Sequence, residues 1–234
     1  MIAEYYPKNQ YGNYFCAQSF HSFAPEIMNI PFNPQCRILE GAHKLFSRFG
    51  LKSVTMDDIA RDLGVSKKTI YQLYADKNKL VCAYMERERE EHTKTIEEIG
   101  KASKNAIEEI ILTMQFMSKT FNRINPNLFY DMQKYHPESW AIFREFKEKF
   151  MTQLVIQNIE KGKAEGLYRS DINTKIMARF RLEQVEMAMN PSIFPADKYN
   201  HTEVQMQLLD HFMHGICTIK GHKLINKYKE IDDE

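Results

Sequence analysis

Apolar residues along most of this chain recur three and four positions apart, the spacing that lines one face of an α-helix. The first such run opens at Asn33-Pro34, an N-cap residue followed by a proline suited to the first helical position. Ile38, Leu39, Ala42, Leu45, Phe46 and Phe49 follow at helical spacing, and Gly50 closes the run. A second helix opens at Thr55, with Asp58 three residues on in capping-box spacing. It buries Ile59, Ala60 and Leu63 and ends at Gly64. Ser66 caps a third helix that runs to Leu73 or Tyr74. Asp76 caps a fourth, longer one carrying Leu80, Val81, Tyr84 and then a charged stretch, residues 86–94, read as a solvated face.

The same period continues to the end of the chain. Ile107, Ile110, Ile111, Met114 and Met117 mark one helix, and residues 128–135 a short one between Pro126 and Pro137. Trp140, Phe143, Phe146, Phe150, Leu154, Val155 and Ile159 predict a single long helix ending near Gly166. Residues 172–189 form another, closed by Asn190-Pro191; residues 192–200 read as a loop. Val204, Leu208, Phe212, Ile216 and Ile219 predict one last long helix over 201–228. The expected fold class is all-α, with no internal repeat at a fixed period and no apolar run long enough to span a membrane.

Composition changes this picture only at the edges. A chain of 234 residues with 43% hydrophobic and 27% charged residues sits far from the disordered class and can bury a core. The first 35 residues differ: they hold three charged residues and eight aromatics, with neither a secretory leader pattern nor a basic arm. They read as a poorly ordered extension, with Met28 as a second candidate start. Residues 36–82 carry nine Lys/Arg against five Asp/Glu, a local balance of +4 in a chain of net +1. A basic segment on a slightly acidic body is the asymmetry expected of a nucleic-acid module joined to something else. Cys16, Cys36, Cys82 and Cys217 form no metal or disulfide spacing and read as reduced thiols, Cys82 and Cys217 as small packing residues. A cytoplasmic protein without metal or cofactor is expected.

The candidate chemistry lies in three short helices joined by glycine-marked turns, which fit a helix-turn-helix. In the turn Leu63-Gly64-Val65-Ser66, glycine permits positive φ, Val65 packs between helices, and Ser66 caps the third helix. That helix offers Lys67, Lys68, Thr69, Tyr71 and Gln72 outward and Ile70 to the core. Lys and Gln match purine edges in the major groove, while Thr and Tyr suit phosphates or a thymine methyl. Lys77, at the start of the fourth helix, combines an ammonium with free backbone N–H groups, a phosphate site.

The run from Thr55 to Lys77, with the preceding helix carrying Ala42, Leu45, Phe46 and Gly50, resembles the TetR/AcrR regulators. The detailed resemblance covers residues 36–82. It implies that residues 66–74 form the recognition helix. Lys67, Lys68 and Gln72 then face bases, and Thr55, Thr69, Tyr71 and Lys77 hold phosphates, with Ser66 in the same set. Leu73 departs from the His or Tyr of relatives and is left out; Tyr74 replaces a common Phe as core packing.

The resemblance further implies a homodimer on palindromic double-stranded DNA, joined through the last two helices, 172–189 and 201–228, with Ile176, Phe180, Leu208, Phe212, Ile216 and Ile219 on the interface. Two recognition helices must reach successive major grooves about 34–36 Å apart, which independently calls for a dimer. A small-molecule effector pocket is expected between residues 107 and 189, lined by Met114, Met117, Phe121, Tyr130, Trp140, Phe143, Phe180 and Met187, with Arg181, Glu183 and Gln184 as polar candidates. The expected domains are an extension, 1–33, a helix-turn-helix unit, 34–82, and a ligand-binding and dimerisation unit, 83–234. The expected function is a non-enzymatic repressor released by its ligand. Ligand-dependent activation, and an interaction module that does not use DNA, remain open. His211 and His214 lie three apart but lack the partners of a di-iron bundle, and neither HExxH nor a GxSxG elbow occurs.

Overall fold

A computed structural model describes residues 34–121, 124, 125, 127–195 and 197–229. The aromatic-rich extension, including the proposed cap Asn33, lies outside them. The elements are helices: α1 Pro34–Phe49, α2 Met56–Leu63, α3 Lys67–Leu73, α4 Lys77–Ala102, α5 Ala106–Phe121, α6 Leu128–Tyr135, α7 Pro137–Glu145, a π-helical turn Phe146–Met151, α8 Thr152–Ala164, α9 Thr174–Ala188, α10 His201–Ile216 and α11 Ile219–Lys229. No described helix is long and apolar enough to cross a membrane.

The local signals act as capping chemistry requires. Asp58 N donates to Thr55 Oγ1 at 3.2 Å and Thr55 N donates back to the Asp58 carboxylate at 2.9 Å, a complete capping box. The Thr55 hydroxyl also donates to that carboxylate at 2.6 Å, and this bond, with the one from Thr55 N, holds the Asp58 carboxyl below its usual range. Gly64 closes α2 with φ of 64°, the left-handed conformation that favours glycine. Thr69 N donates to Ser66 Oγ at 3.1 Å and Lys79 N to Asp76 Oδ1 at 2.8 Å, capping α3 and α4.

The helix-turn-helix does not close its own core. Ile38, Phe46, Leu51, Ile59 and Ile70 are covered by Leu80, Val81 and Tyr84 of α4 and by Leu128 and Met132 of α6. Trp140 and Phe143 of α7 pack on the same cluster. A second cluster joins Ile107, Ile159, Tyr168, Leu209, Phe212, Ile216 and Ile225. Helix α4 is continuous through residue 82 and carries both the cap beside α3 and the strut into the body. Its charged stretch is not wholly solvated: Glu88 accepts from His43 Nδ1 of α1 at 2.9 Å.

Two expected helices differ from the sequence reading. The helix through Trp140 and Ile159 contains the π-helical turn at Phe146–Met151. One extra residue in a turn rotates the rest of the helix by about 100°. Trp140 and Phe143 therefore face the N-terminal cluster, while Val155 faces the second. The expected last helix is two helices, broken at Cys217-Thr218. There the chain pairs as an antiparallel bridge with Tyr168. Arg169 N donates to Ile216 O, and Thr218 N to Leu167 O, both at 2.9 Å. Gly221 N then donates to Thr218 Oγ1 at 3.2 Å, so the threonine starts α11. A Cβ on Gly221 would overlap the Leu167 carbonyl, so glycine permits this close approach.

Burial also divides the residues expected at a dimer interface. Phe212 and Ile216 lie in the subunit's own core, 3% and 2% exposed. Ile176 and Phe180 face outward, 60% and 47% exposed, as does Ile219 beyond the break.

Candidate nucleic-acid interface and the cleft behind it

Helix α3 has a sharply divided surface. Ile70 is fully buried, Leu73 half-buried against the core, and Tyr74 buried at the C-cap. Lys67, Lys68, Tyr71 and Gln72 are exposed, and their one-and-four spacing places them on a single face. The Lys67 ammonium pairs with Asp57 of α2. The hydroxyls of Ser66 and Thr69 share a hydrogen bond of 2.8 Å at the helix start. Thr55 is exposed at the start of α2. The face thus offers two cations, a phenol and an amide on one rigid, capped helix. That combination suits the electronegative edges and phosphates of duplex DNA.

Lys77 is placed differently from the other seven predicted DNA residues. Its ammonium turns inward and donates to the Leu51 carbonyl in the α1–α2 loop. Burial draws its pKa below the usual lysine range, against the opposing pull of Asp131 and Asp58. Asp131, buried on α6, accepts from Lys52 N at 2.9 Å in the same loop. Nearby, His136 Nδ1 lies 2.6 Å from Asn78 Oδ1, and Lys79 pairs with Glu138 at 2.9 Å. These contacts tie the start of α4 and the α1–α2 loop to α6 and α7 of the body.

Behind this unit a cleft of about 610 Å³, counting its open mouth, runs between α5, α8 and α9. Ile110, Met114, Met117, Met151, Leu154, Val155, Leu182 and Val185 form its apolar wall, with Glu109, Thr113, Asn158 and Arg181 as its polar members. Two of the polar residues are already satisfied. Glu109 pairs with Lys161 at 2.6 Å. Asn158 donates to Ala106 O at 2.9 Å and accepts from the Tyr168 hydroxyl at 3.1 Å. Arg181 differs. It is 2% exposed, its Nη2 meets only the Met114 sulfur at 3.0 Å, and its Nη1 has no hydrogen-bond partner. The guanidinium stands 5.8 Å from the Phe212 ring centroid. Burial alone pushes its pKa down to about 10. A buried ion without a counter-charge carries a desolvation cost of several kcal/mol.

Of the residues expected to line a pocket, this cleft brings together Met114 and Met117, with Arg181 among the polar candidates. Trp140 and Phe143 instead stack at 5.3 Å against the N-terminal core. Tyr130 and Phe180 are exposed. Met187 is half-buried away from this lining, and the Phe121 side chain lies outside the described residues. Gln184 is buried elsewhere, and Glu183 is exposed, paired with Lys147 and Arg179. The wall residues missed in the sequence had a usable signal. Ile110, Thr113, Met114 and Met117, then Met151, Leu154, Val155 and Asn158, are each spaced as one helical face.

The family model for bacterial regulatory proteins of the tetR family matches residues 38–84, the span of α1 to the first turns of α4. The chain is 26% identical over 182 residues to the uncharacterized HTH-type transcriptional regulator YvaF of Bacillus subtilis, covering 77% of this chain and 94% of that protein. A TetR-family regulator from Agrobacterium tumefaciens has the same fold, with a TM-score of 0.65 at 19% identity over 80% of this chain and all of the other. So does a regulator from Saccharomonospora viridis solved with choline, with a TM-score of 0.66 at 17% identity over 79% and 97%. Residues 38–84 thus match the DNA-binding helix-turn-helix of the tetR family, and the chain is similar over most of its length to an HTH-type transcriptional regulator.

Proposed function

We propose that this protein is a cytoplasmic, homodimeric repressor that leaves a palindromic operator when a small molecule enters the α5–α8–α9 cleft. The observation that carries the DNA half is the exposed face of α3, with Lys67, Lys68, Tyr71 and Gln72 on a helix capped by Ser66. In this reading Lys68 and Gln72 address base edges, and Lys67 joins them when DNA displaces Asp57. Thr55, Ser66, Thr69 and Tyr71 hold phosphates. Lys77 acts through position, fixing the start of α4 so that its backbone N–H groups meet a phosphate. The protein works by binding rather than catalysis.

Support for coupling lies in α4 and in α6–α7. These elements complete the core beneath α3, and α4 packs along α5, which lines the cleft. A ligand that fits one setting of α5 and α9 better than another shifts the spacing of the two recognition helices by population. A differential affinity worth about 1–3 kcal/mol is enough for ordinary regulation.

The test is fluorescence anisotropy of the full-length protein on fragments from upstream of its own and neighbouring genes. Specific binding to a palindromic fragment is expected, with log K falling against log salt by about 0.9 for each phosphate contacted. Gln72→Ala should relax sequence preference more than it weakens binding. Sequence-independent binding of every fragment, or none, would overturn the operator reading.

A further inference from the structure

The cleft holds one unsolved electrostatic problem, and its solution identifies the ligand's chemistry. Arg181 is buried on α9 with its Nη1 unbonded and its Nη2 against a thioether. The remaining wall is mostly hydrocarbon and methionine, and the acidic wall residue, Glu109, is already neutralised by Lys161. Asn158 is likewise committed, to Ala106 and Tyr168. What is missing is a planar acceptor of one negative charge, attached to an apolar body.

We propose that the effector is an amphipathic monocarboxylate, its carboxylate bound in the fork of Arg181 and its apolar body lying against Met114, Met117, Leu154, Val155 and Val185. This rests on the reading of the cleft as an effector site and supplies its ligand class. Guanidinium and carboxylate match as two parallel N–H···O bonds, which a single neutral acceptor cannot reproduce. The charge count favours one negative charge: a dianion would leave a surplus in a wall with no second free cation among its residues. A cation would meet Arg181 directly and be repelled. Methionines give the apolar wall the adaptability to take flexible or flat bodies.

Isothermal titration of the full-length protein tests this with decanoate and 2-naphthoate as probes, against methyl decanoate and decylamine. Both acids should bind, the ester at least tenfold more weakly than decanoate, and the amine without detectable heat. Arg181→Met should lose at least tenfold on decanoate while its affinity for the ester is kept or rises. Its melting temperature without ligand should be no lower than that of the unaltered protein, because it removes an unpaired buried charge. Arg181→Lys, which keeps the charge but not the fork, should fall between. Equal binding of ester and acid, full retention of decanoate by Arg181→Met, or binding by neither acid would each overturn the carboxylate assignment.

Operator anisotropy with the same probes separates the two readings. Release of DNA by methyl decanoate at the concentrations at which decanoate acts would preserve effector control and sink the carboxylate. Binding of decanoate through Arg181 with no effect on DNA would preserve the ligand class and sink effector control.

Discussion

At the residue scale, two lysines nine positions apart illustrate how one side chain type serves two purposes. Lys68 stands exposed on α3, whereas the Lys77 ammonium is bonded to the Leu51 carbonyl. Lys68→Ala should therefore weaken operator binding and relax the preference at the base it reads, with the salt slope little changed and the melting temperature unchanged. Lys77→Ala should weaken binding to all sequences and also lower the melting temperature, since it unties α4 from the α1–α2 loop. Anisotropy and calorimetry on both variants check this; an unaltered melting temperature for Lys77→Ala would show that the Leu51 contact is not maintained. The sequence placed both residues at the DNA face because each carries a cation near a helix start. It held no sign that Lys77 turns inward, because its acceptor is a backbone carbonyl 26 residues away. Arg181 was legible as a polar candidate but not as an unpaired one, since pairing depends on four helices at once.

At the element scale, the helices with local signals were the ones legible in sequence. The caps at Thr55, Ser66 and Asp76 and the glycine at Gly64 act within four residues of themselves, so α2, α3 and the start of α4 follow from short strings. The π-helical turn and the Cys217-Thr218 break were not legible for the opposite reason. Neither contains proline, and the break is held by Leu167, Tyr168 and Arg169, about 50 residues away. The π-helical turn also explains why aromatic residues expected in one pocket part company: it redirects the face after Phe146. The pairing of α1 with α4 carries a pH dependence. The hydrogen bond to Glu88 raises the His43 pKa above 6.5, against the effect of burial. Its contribution to stability is therefore complete below 6.5 and is lost as pH rises through the raised value. Burial lowers the pKa of His92, the other imidazole beside Glu88, against the pull of Glu88 and Glu91. Its contribution is present above 6.5 and lost as pH falls. His43→Gln should thus lower the melting temperature more at pH 6 than at pH 8.5. NMR titration should find the two rings on opposite sides of 6.5, and the same side for both would refute the assignment.

At the scale of the whole molecule, α9 joins the two proposed events because it has two apolar faces. Arg181, Leu182 and Val185 look into the cleft, while Ile176 and Phe180 look out, one turn apart, as an apolar pair left uncovered in the single subunit. If that outer pair meets its copy across a twofold axis, any shift of α9 on ligand binding is also a shift of the dimer. Ile176→Glu should then convert the protein to a monomer by sedimentation equilibrium without loss of helicity, because the side chain is already mostly solvated in the subunit. Operator affinity should fall steeply in that variant, since the second half-site contact is no longer intramolecular. Linkage makes the coupling itself measurable from either end. Whatever factor decanoate takes from operator affinity, operator must take from decanoate affinity, because both describe one cycle. In Ile176→Glu that reciprocal factor should shrink towards one while Arg181 still binds decanoate, as the cleft lies on the other side of α9. A dimer that survives Ile176→Glu would remove this pair from the interface, and coupling that persists in a monomer would mean that the signal reaches α3 through α4 within one subunit rather than through the spacing of two.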